Sequence, residues 1–277
     1  MAIVSESYKE QYKNDGYIVI KDVIPYDMIA SLYKAMVQIF KKYNPDAPAN
    51  LLEGKPWENP TFHELMARFR DERPTYFSHM YDSMQTNVML WRIGVHEKAS
   101  QIAAELMGDD STGLTFTDIL LRMDASGDTK NKLDWHQDSS YFRQNNYGNN
   151  GCVCSVSMRD LKPGMGPLVI LPGSHTIGRI EISGDVDDKD RYSSIKSQQY
   201  AVPQEYVDKF KDKEMQVIAK SGDAMFMNFD LIHRSGTNTS GTFRFSAIAR
   251  YHRMLTKDFV PGRLVYNFNK NHSSIKI

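Results

Sequence analysis

The sequence predicts an α+β domain in which helices at the front precede an antiparallel β-sandwich or jelly roll. Three observations carry this. Between Asp27 and Tyr43 the apolar residues fall at helical spacing. Beyond Gly113, short β-rich runs recur between clusters of Gly, Pro, Asn and Asp. No repeat, low-complexity tract or linker divides the 277 residues, so one domain over 1–277 is expected.

Along the chain, Gly16-Tyr17-Ile18-Val19-Ile20 follows polar Asn14-Asp15 and reads as a strand. Met28, Ile29, Leu32, Met36, Ile39 and Phe40 then mark one face of a helix. Lys41 and Lys42 suit its C-terminus and Pro45 stops it. Residues 44–80 carry Pro45, Pro48, Pro56, Pro60 and Pro74 and read as loops with one helix near 62–69. A second amphipathic helix is expected over 95–107, ended by Gly108. Strand runs follow at 114–122, 152–158, 167–171, 215–218, 224–228 and 243–251. Residues 176–200, rich in aspartate, read as a long polar excursion, either a lid or a poorly ordered loop.

Composition narrows the function classes. With 41% hydrophobic and 25% charged residues the chain can bury a sizeable core. Its 34 basic residues balance 34 acidic ones, which removes the long-range reason to expect nucleic acid or an anionic membrane as partner. Two cysteines are too few for a disulfide scaffold. No apolar run approaches the roughly 18 residues of a membrane helix, and neither a signal-peptide core nor a terminal Ser-Lys-Leu address is present. A cytoplasmic protein, monomer or homodimer, acting on a small molecule is the expectation.

The chemistry concentrates in Asp134-Trp135-His136-Gln137-Asp138. On an extended strand His136 and Asp138 leave the same face, so an imidazole and a carboxylate can grip a divalent ion together. A second histidine, His233, lies far downstream. Two histidines and one carboxylate form the facial triad of non-haem Fe(II) oxygenases, which leaves three coordination positions open. Beyond His233 the alternating run Thr242-Phe243-Arg244-Phe245-Ser246 reads as a strand, with Arg244 and Ser246 on one face. A guanidinium inside a sandwich requires a carboxylate partner. A dicarboxylate co-substrate would supply one, with Ser246 or Ser235 sharing the load; the plainer alternative is a protein Asp or Glu.

Four segments in order resemble the phytanoyl-CoA dioxygenase family: Asp15-Gly16-Tyr17-Ile18-Val19-Ile20 before Asp22-Val23-Ile24; His136-Gln137-Asp138-Ser139-Ser140-Tyr141-Phe142; Met165 through His175, with its Pro-Gly-Ser-His; and Gly222-Asp223 with His233-Arg234-Ser235-Gly236, Asn238 and Arg244. They span residues 11 to 252. The resemblance implies a double-stranded β-helix (jelly roll, cupin-like) core with flanking N-terminal helices. It implies that His136, Asp138 and His233 bind Fe(II), and that Arg244 meets the distal carboxylate of 2-oxoglutarate with support from Ser235. It places the Tyr141 ring beside cofactor or substrate. For the C1 carboxylate, Asp118 and Arg122 are both candidates and neither matches well. Fe(II), 2-oxoglutarate and O2, with ascorbate as activator, would hydroxylate an unactivated C–H bond and release succinate and CO2. Related halogenases lack the carboxylate found here as Asp138, which favours oxygenation.

Other outcomes share these residues. The same cofactors serve desaturation, cyclisation or epoxidation; a non-catalytic small-molecule-binding jelly roll, or a zinc hydrolase, would explain fewer of them, Arg244 least. Outside the motifs, His175 and Gly222-Asp223 read as structural turns, and His63 and His252 as surface or capping histidines. Cys152 and Cys154 read as a buried pair on one strand face, and Trp135 as packing. Arg250 reads as either an anion contact or a solvent-reaching side chain. Substrate choice is expected from 44–90 and 176–200, where Trp57, Phe62, Tyr76, Phe77, His79 and Tyr81 suit either a pocket mouth or an ordinary helix–sheet interface.

Overall fold

The computed structural model describes residues 2–129, 132–142, 144–145, 147–181 and 201–259. Ser5 accepts from the Tyr8 amide to cap α1 (Glu6–Asp15), and Gly16 ends it in the left-handed region with φ 78°. Gly16 also lies against the His175 ring. A Cβ there would sit 2.5 Å from the imidazole Nδ1, so glycine alone admits the contact. His175 Nε2 in turn pairs with the Lys13 carbonyl at 3.1 Å, which makes this motif-matched histidine an anchor for α1. β1 (Tyr17–Ile20) and α2 (Tyr26–Tyr43) follow much as the spacing predicts.

The prolines of 44–80 do not break structure as expected. Pro60 and Pro74 are the first residues of α3 (Pro60–Glu72) and α4 (Pro74–Gln85). At that position proline's missing N–H has no intrahelical partner to lose, and its fixed φ suits the helix. Two helices therefore stand where one was expected, and α5 (Val88–Gly94) and α6 (Glu97–Met107) complete the helical layer. Gly108 ends α6 as predicted.

The remaining elements are β2 (Leu114–Asp124), β3 (Gly151–Ser157), β4 (Val169–Ile170), α7 (Gln204–Asp208), β5 (Met215–Gln216), β6 (Ala224–Asn228), β7 (His233–Arg234) and β8 (Arg244–Arg253). The strands form two antiparallel sheets, β1-β6-β3-β8-β2 and β5-β4-β7. Together they make the double-stranded β-helix, with α2–α6 on the outer face of the larger sheet and α7 beside the smaller one. No described helix is long and apolar enough to cross a membrane.

Alternation along β8 assigns the two faces. Phe245, Ala247, Ala249 and Tyr251 join Cys152, Cys154, Leu121 and Phe226 in the core beneath α2–α6. Arg244, Ser246, Ile248 and Arg250 face the other way, towards the interior between the sheets. There Val153, Met225, Met227 and Phe229 pack on Ile170 of the smaller sheet. Of the two roles open to the aromatics of 44–90, this division selects the helix–sheet interface over the pocket mouth. Trp57 and Phe62 are fully buried in the helix–sheet core, with Tyr33 stacked on Trp57 at 4.5 Å, and Phe77 and Tyr81 pack against the same core. Tyr76 and His79 are exposed on this outer layer. The sheet itself stands between these aromatics and its inner face.

His63 is likewise no surface histidine. It is 1% exposed; its Nδ1 accepts from the Phe243 amide at 3.1 Å and its Nε2 meets the Trp57 carbonyl at 2.8 Å. It thereby ties α3 to the start of β8. His252 is also buried, beside Asn145 and edge-on to Phe229. Cys152 and Cys154 are buried as expected, and burial pushes both thiols up, Cys152 to about 12. Of the excursion expected at 176–200, residues 182–200 lie outside the described residues.

Candidate metal centre

Ninety-six residues lie between His136 and His233, yet the fold sets the two directly opposite each other. Each donates its amide to the other's carbonyl, at 2.9 and 3.0 Å, in an isolated antiparallel bridge. Their rings lie 4.1 Å apart. Gln137 continues the extended backbone with its side chain turned the opposite way. Its amide donates to the carbonyls of Gly178 and Asp230, and its oxygen accepts from the Ile180 amide. With the motif's middle residue pinned, Asp138 projects on the histidine side and opens a short 3-10 turn, as the two-residue spacing predicts.

The donors of the three side chains lie within 4.8 Å of one another, and all three residues are buried. Asp138 Oδ1 is 3.6 Å from Nε2 of each histidine. Both imidazoles turn Nδ1 to a backbone carbonyl two residues earlier: His136 to Asp134 at 2.7 Å and His233 to Leu231 at 2.9 Å. A carbonyl only accepts, so Nδ1 carries the proton and Nε2 presents its lone pair to the gap. Burial and the neighbouring His136 bring His233 down to about 4, which leaves it neutral and ready to ligate at pH 7. Burial alone would push the Asp138 carboxyl up. Arg250 and the two histidines outweigh it and hold Asp138 well below the usual carboxylate range. Two neutral nitrogens and one carboxylate oxygen on one side of a gap suit Fe(II), with open positions opposite. The Tyr141 ring stands edge-on to His136 at 5.8 Å.

On the inner face of β2 and β8 the register pairs Asp124 with Arg244, Arg122 with Ser246, and Asp118 with Arg250. Asp124 is the residue that sequence reasoning missed. Its Oδ2 accepts from Nε and Nη2 of Arg244, with the Nε contact at 3.0 Å. Its Oδ1 accepts from Nε and Nη2 of Arg122 at 3.1 and 2.9 Å. Arg244 Nη1 donates to the Gly166 carbonyl at 2.6 Å. A guanidinium has five N–H donors. Three are used here, so Arg244 keeps one on each terminal nitrogen. Those two remain for a further acceptor such as a carboxylate. The protein aspartate therefore orients Arg244 without consuming it. Asp124 between two arginines also leaves the cluster with one net positive charge, enough for one incoming carboxylate.

Ser235 is buried, and its hydroxyl accepts from the Leu133 amide at 3.0 Å. It shares a small cleft with Arg122, Asp124, Lys132 and Asn238. Ser246 faces the same interior, opposite Arg122 on β2 and Ser157 on β3. Of the two candidates for the C1 carboxylate, Arg122 is engaged by Asp124 and Asp118 by Arg250. Arg250 itself does not reach solvent: it is 8% exposed and bonds Asp138 Oδ2 at 3.2 Å. The parity with Arg244 was visible in the sequence; the partner was not.

The chain matches the family model described as Phytanoyl-CoA dioxygenase (PhyH) over residues 12–246. An ectoine dioxygenase from Sphingopyxis alaskensis is 24% identical over 259 residues, covering 90% of this chain and 76% of that protein. One from Stutzerimonas stutzeri is 22% identical over 208 residues, covering 73% of this chain and 60% of that protein. Among solved structures, EctD from S. alaskensis with 2-oxoglutarate and 5-hydroxyectoine superposes with a TM-score of 0.58 at 20% identity. The match covers 91% of this chain and 77% of that one. The non-heme alpha ketoglutarate dependent carbocyclase SnoK, from nogalamycin biosynthesis, gives 0.59 at 16% identity, covering 90% and 84%. At such identities the structural likeness is one of fold.

Proposed function

The chain belongs to the phytanoyl-CoA dioxygenase family and is an Fe(II)/2-oxoglutarate-dependent dioxygenase; from that premise we propose that it hydroxylates an unactivated C–H bond of a small organic molecule. The observation that carries this reading is the convergence of His136, Asp138 and His233 in one buried gap, on the same inner face as an arginine with unused N–H groups. The ectoine dioxygenases among its relatives support a small polar substrate and oxygen insertion. SnoK carries carbocyclisation on a similar fold, so the fold alone does not select the reaction.

In this reading the two Nε2 atoms and Asp138 Oδ1 hold the iron. The two remaining N–H groups of Arg244 receive the distal carboxylate of 2-oxoglutarate, and Ser235 and Ser246 flank that end. Bound there, iron and 2-oxoglutarate supply the oxidising chemistry, coupling decarboxylation to succinate and CO2 with oxidation of a substrate C–H bond. The protein's own part is to keep the ligating nitrogens unprotonated and the co-substrate in one orientation. Tyr141, edge-on to His136, walls the metal from one side.

The test is release of succinate from the purified chain given Fe(II), ascorbate, 2-oxoglutarate and O2, screened across small polar molecules. His136→Ala should abolish turnover; full activity in that variant would overturn the assignment. A product heavier by one oxygen supports hydroxylation, whereas loss of two hydrogens would reassign the reaction to desaturation or ring closure.

A further inference from the structure

The two oxygens of Asp138 have different neighbours. Oδ1 faces Nε2 of both histidines at 3.6 Å, the place from which one ion reaches all three donors. Oδ2 is bonded to Nε of Arg250 at 3.2 Å. Arg250 is fixed in turn from two further sides. Its Nη1 reaches Asp118 on β2 at 3.3 Å, directly across the ladder. Its guanidinium carbon lies 4.2 Å over the Phe142 ring, a cation–π contact. Phe142 belongs to the turn that Asp138 opens, and its amide donates to the Asp138 carbonyl at 3.0 Å. Arginine, carboxylate and ring thus hold one another in a single arrangement.

We propose that Arg250 is a positioning residue that confines Asp138 to one-oxygen ligation of the metal, so that the remaining coordination positions stay open to the co-substrate. The proposal rests on the metal-centre reading above. An aspartate beside a divalent ion can ligate through one oxygen or through both. In the second mode a facial triad fills four of about six positions. A co-substrate that chelates through carboxylate and keto oxygen, followed by O2, needs three. Rotating Oδ2 onto the metal here would break its charge-assisted bond to Arg250. It would also leave that buried cation with the half-exposed Asp118 as its only carboxylate among the described residues. Lysine would be a poor substitute, because one ammonium cannot hold the two carboxylates at the angle set by the planar fork.

The experiment measures 2-oxoglutarate binding anaerobically at saturating Fe(II), from the visible band of the iron chelate, in the full chain and in Arg250→Met, Arg250→Lys, Asp118→Asn and His136→Ala. Arg250→Met should bind iron yet require at least about tenfold more 2-oxoglutarate. Arg250→Lys should recover part of the loss. Asp118→Asn, at a side chain 43% exposed, should shift the same way by about threefold and decides the matter if Arg250→Met does not fold. Affinities within twofold of the parent in both Arg250→Met and Asp118→Asn would overturn the proposal. So would outright loss of iron in Arg250→Met, which would make Arg250 a builder of the site rather than the setter of Asp138. His136→Ala should lose both iron and band; if it retains them, the metal-centre reading fails instead.

Discussion

Replacing Arg244 by alanine tests the link between β8 and the co-substrate most directly. The side chain is 6% exposed, and its bonds to Asp124 and the Gly166 carbonyl leave two N–H groups for a ligand. A buried, bidentate charge pair that loses one partner costs about 2–5 kcal/mol. At about 1.4 kcal/mol per factor of ten, that is a loss of roughly 30- to 4000-fold in 2-oxoglutarate affinity. The fold should survive, because Asp124 keeps both of its bonds to Arg122 and is not left as a lone buried charge. The assay is calorimetric titration of the metal-loaded protein with 2-oxoglutarate, beside a thermal melt of the metal-free protein. Refutation would be an affinity within about threefold of the parent in a folded variant, since unused N–H groups that bind nothing are worth nothing. Iron binding itself should be unaffected, because Arg244 touches none of the three donors.

Asp124→Asn removes the charge that Arg122 and Arg244 share, so the metal-free protein should lose about 1–3 kcal/mol, read by urea denaturation. Added 2-oxoglutarate should restore more stability to this variant than to the parent, because its carboxylate replaces the missing counter-charge; an equal rise in both would refute the shared-charge account. Acid should destabilise the metal-free protein well before its carboxylates titrate. Burial brings His63, His252 and His233 each down to about 4, so these histidines are neutral in the folded chain and protonate more readily when it unfolds. Their contribution is present in full above about pH 6.5 and fades as pH falls towards 4, each taking about 2 kcal/mol by pH 5. His63→Gln should remove about 2 kcal/mol of that fall, and a flat denaturation profile from pH 7.5 to 5 would contradict the burial argument.

The helical layer shows where pattern reading loses its grip. Periodicity located α2 and α6 because each buries one apolar stripe in the core on the outer side of the larger sheet. Over 60–85 it found only the middle of α3, because Pro60 and Pro74 start helices rather than stop them, and α4 went unseen. The histidines teach a related lesson. His63 stands in polar company in the sequence, yet α3 carries it to the buried start of β8, and nothing local announces that contact.

The sequence by itself determined which residues offer metal-ligating atoms and which of them share a face. His136 and Asp138 share a face because two residues of extended chain fix it, and Arg244 and Ser246 do so for the same reason. Strand placement was legible too, since period-two alternation between turn residues is a local property. Tertiary structure decided which distant strands meet, and hence which charges pair. The bridge between His136 and His233 closes the metal gap. The register of β2 on β8 sets Asp124 against Arg244 and Asp118 against Arg250. A one-residue slip of β2 against β8 would turn Asp118 and Asp124 to the helical face and leave both arginines without them. Register is a property of two strands and the core they enclose together, and so it is written in neither strand alone.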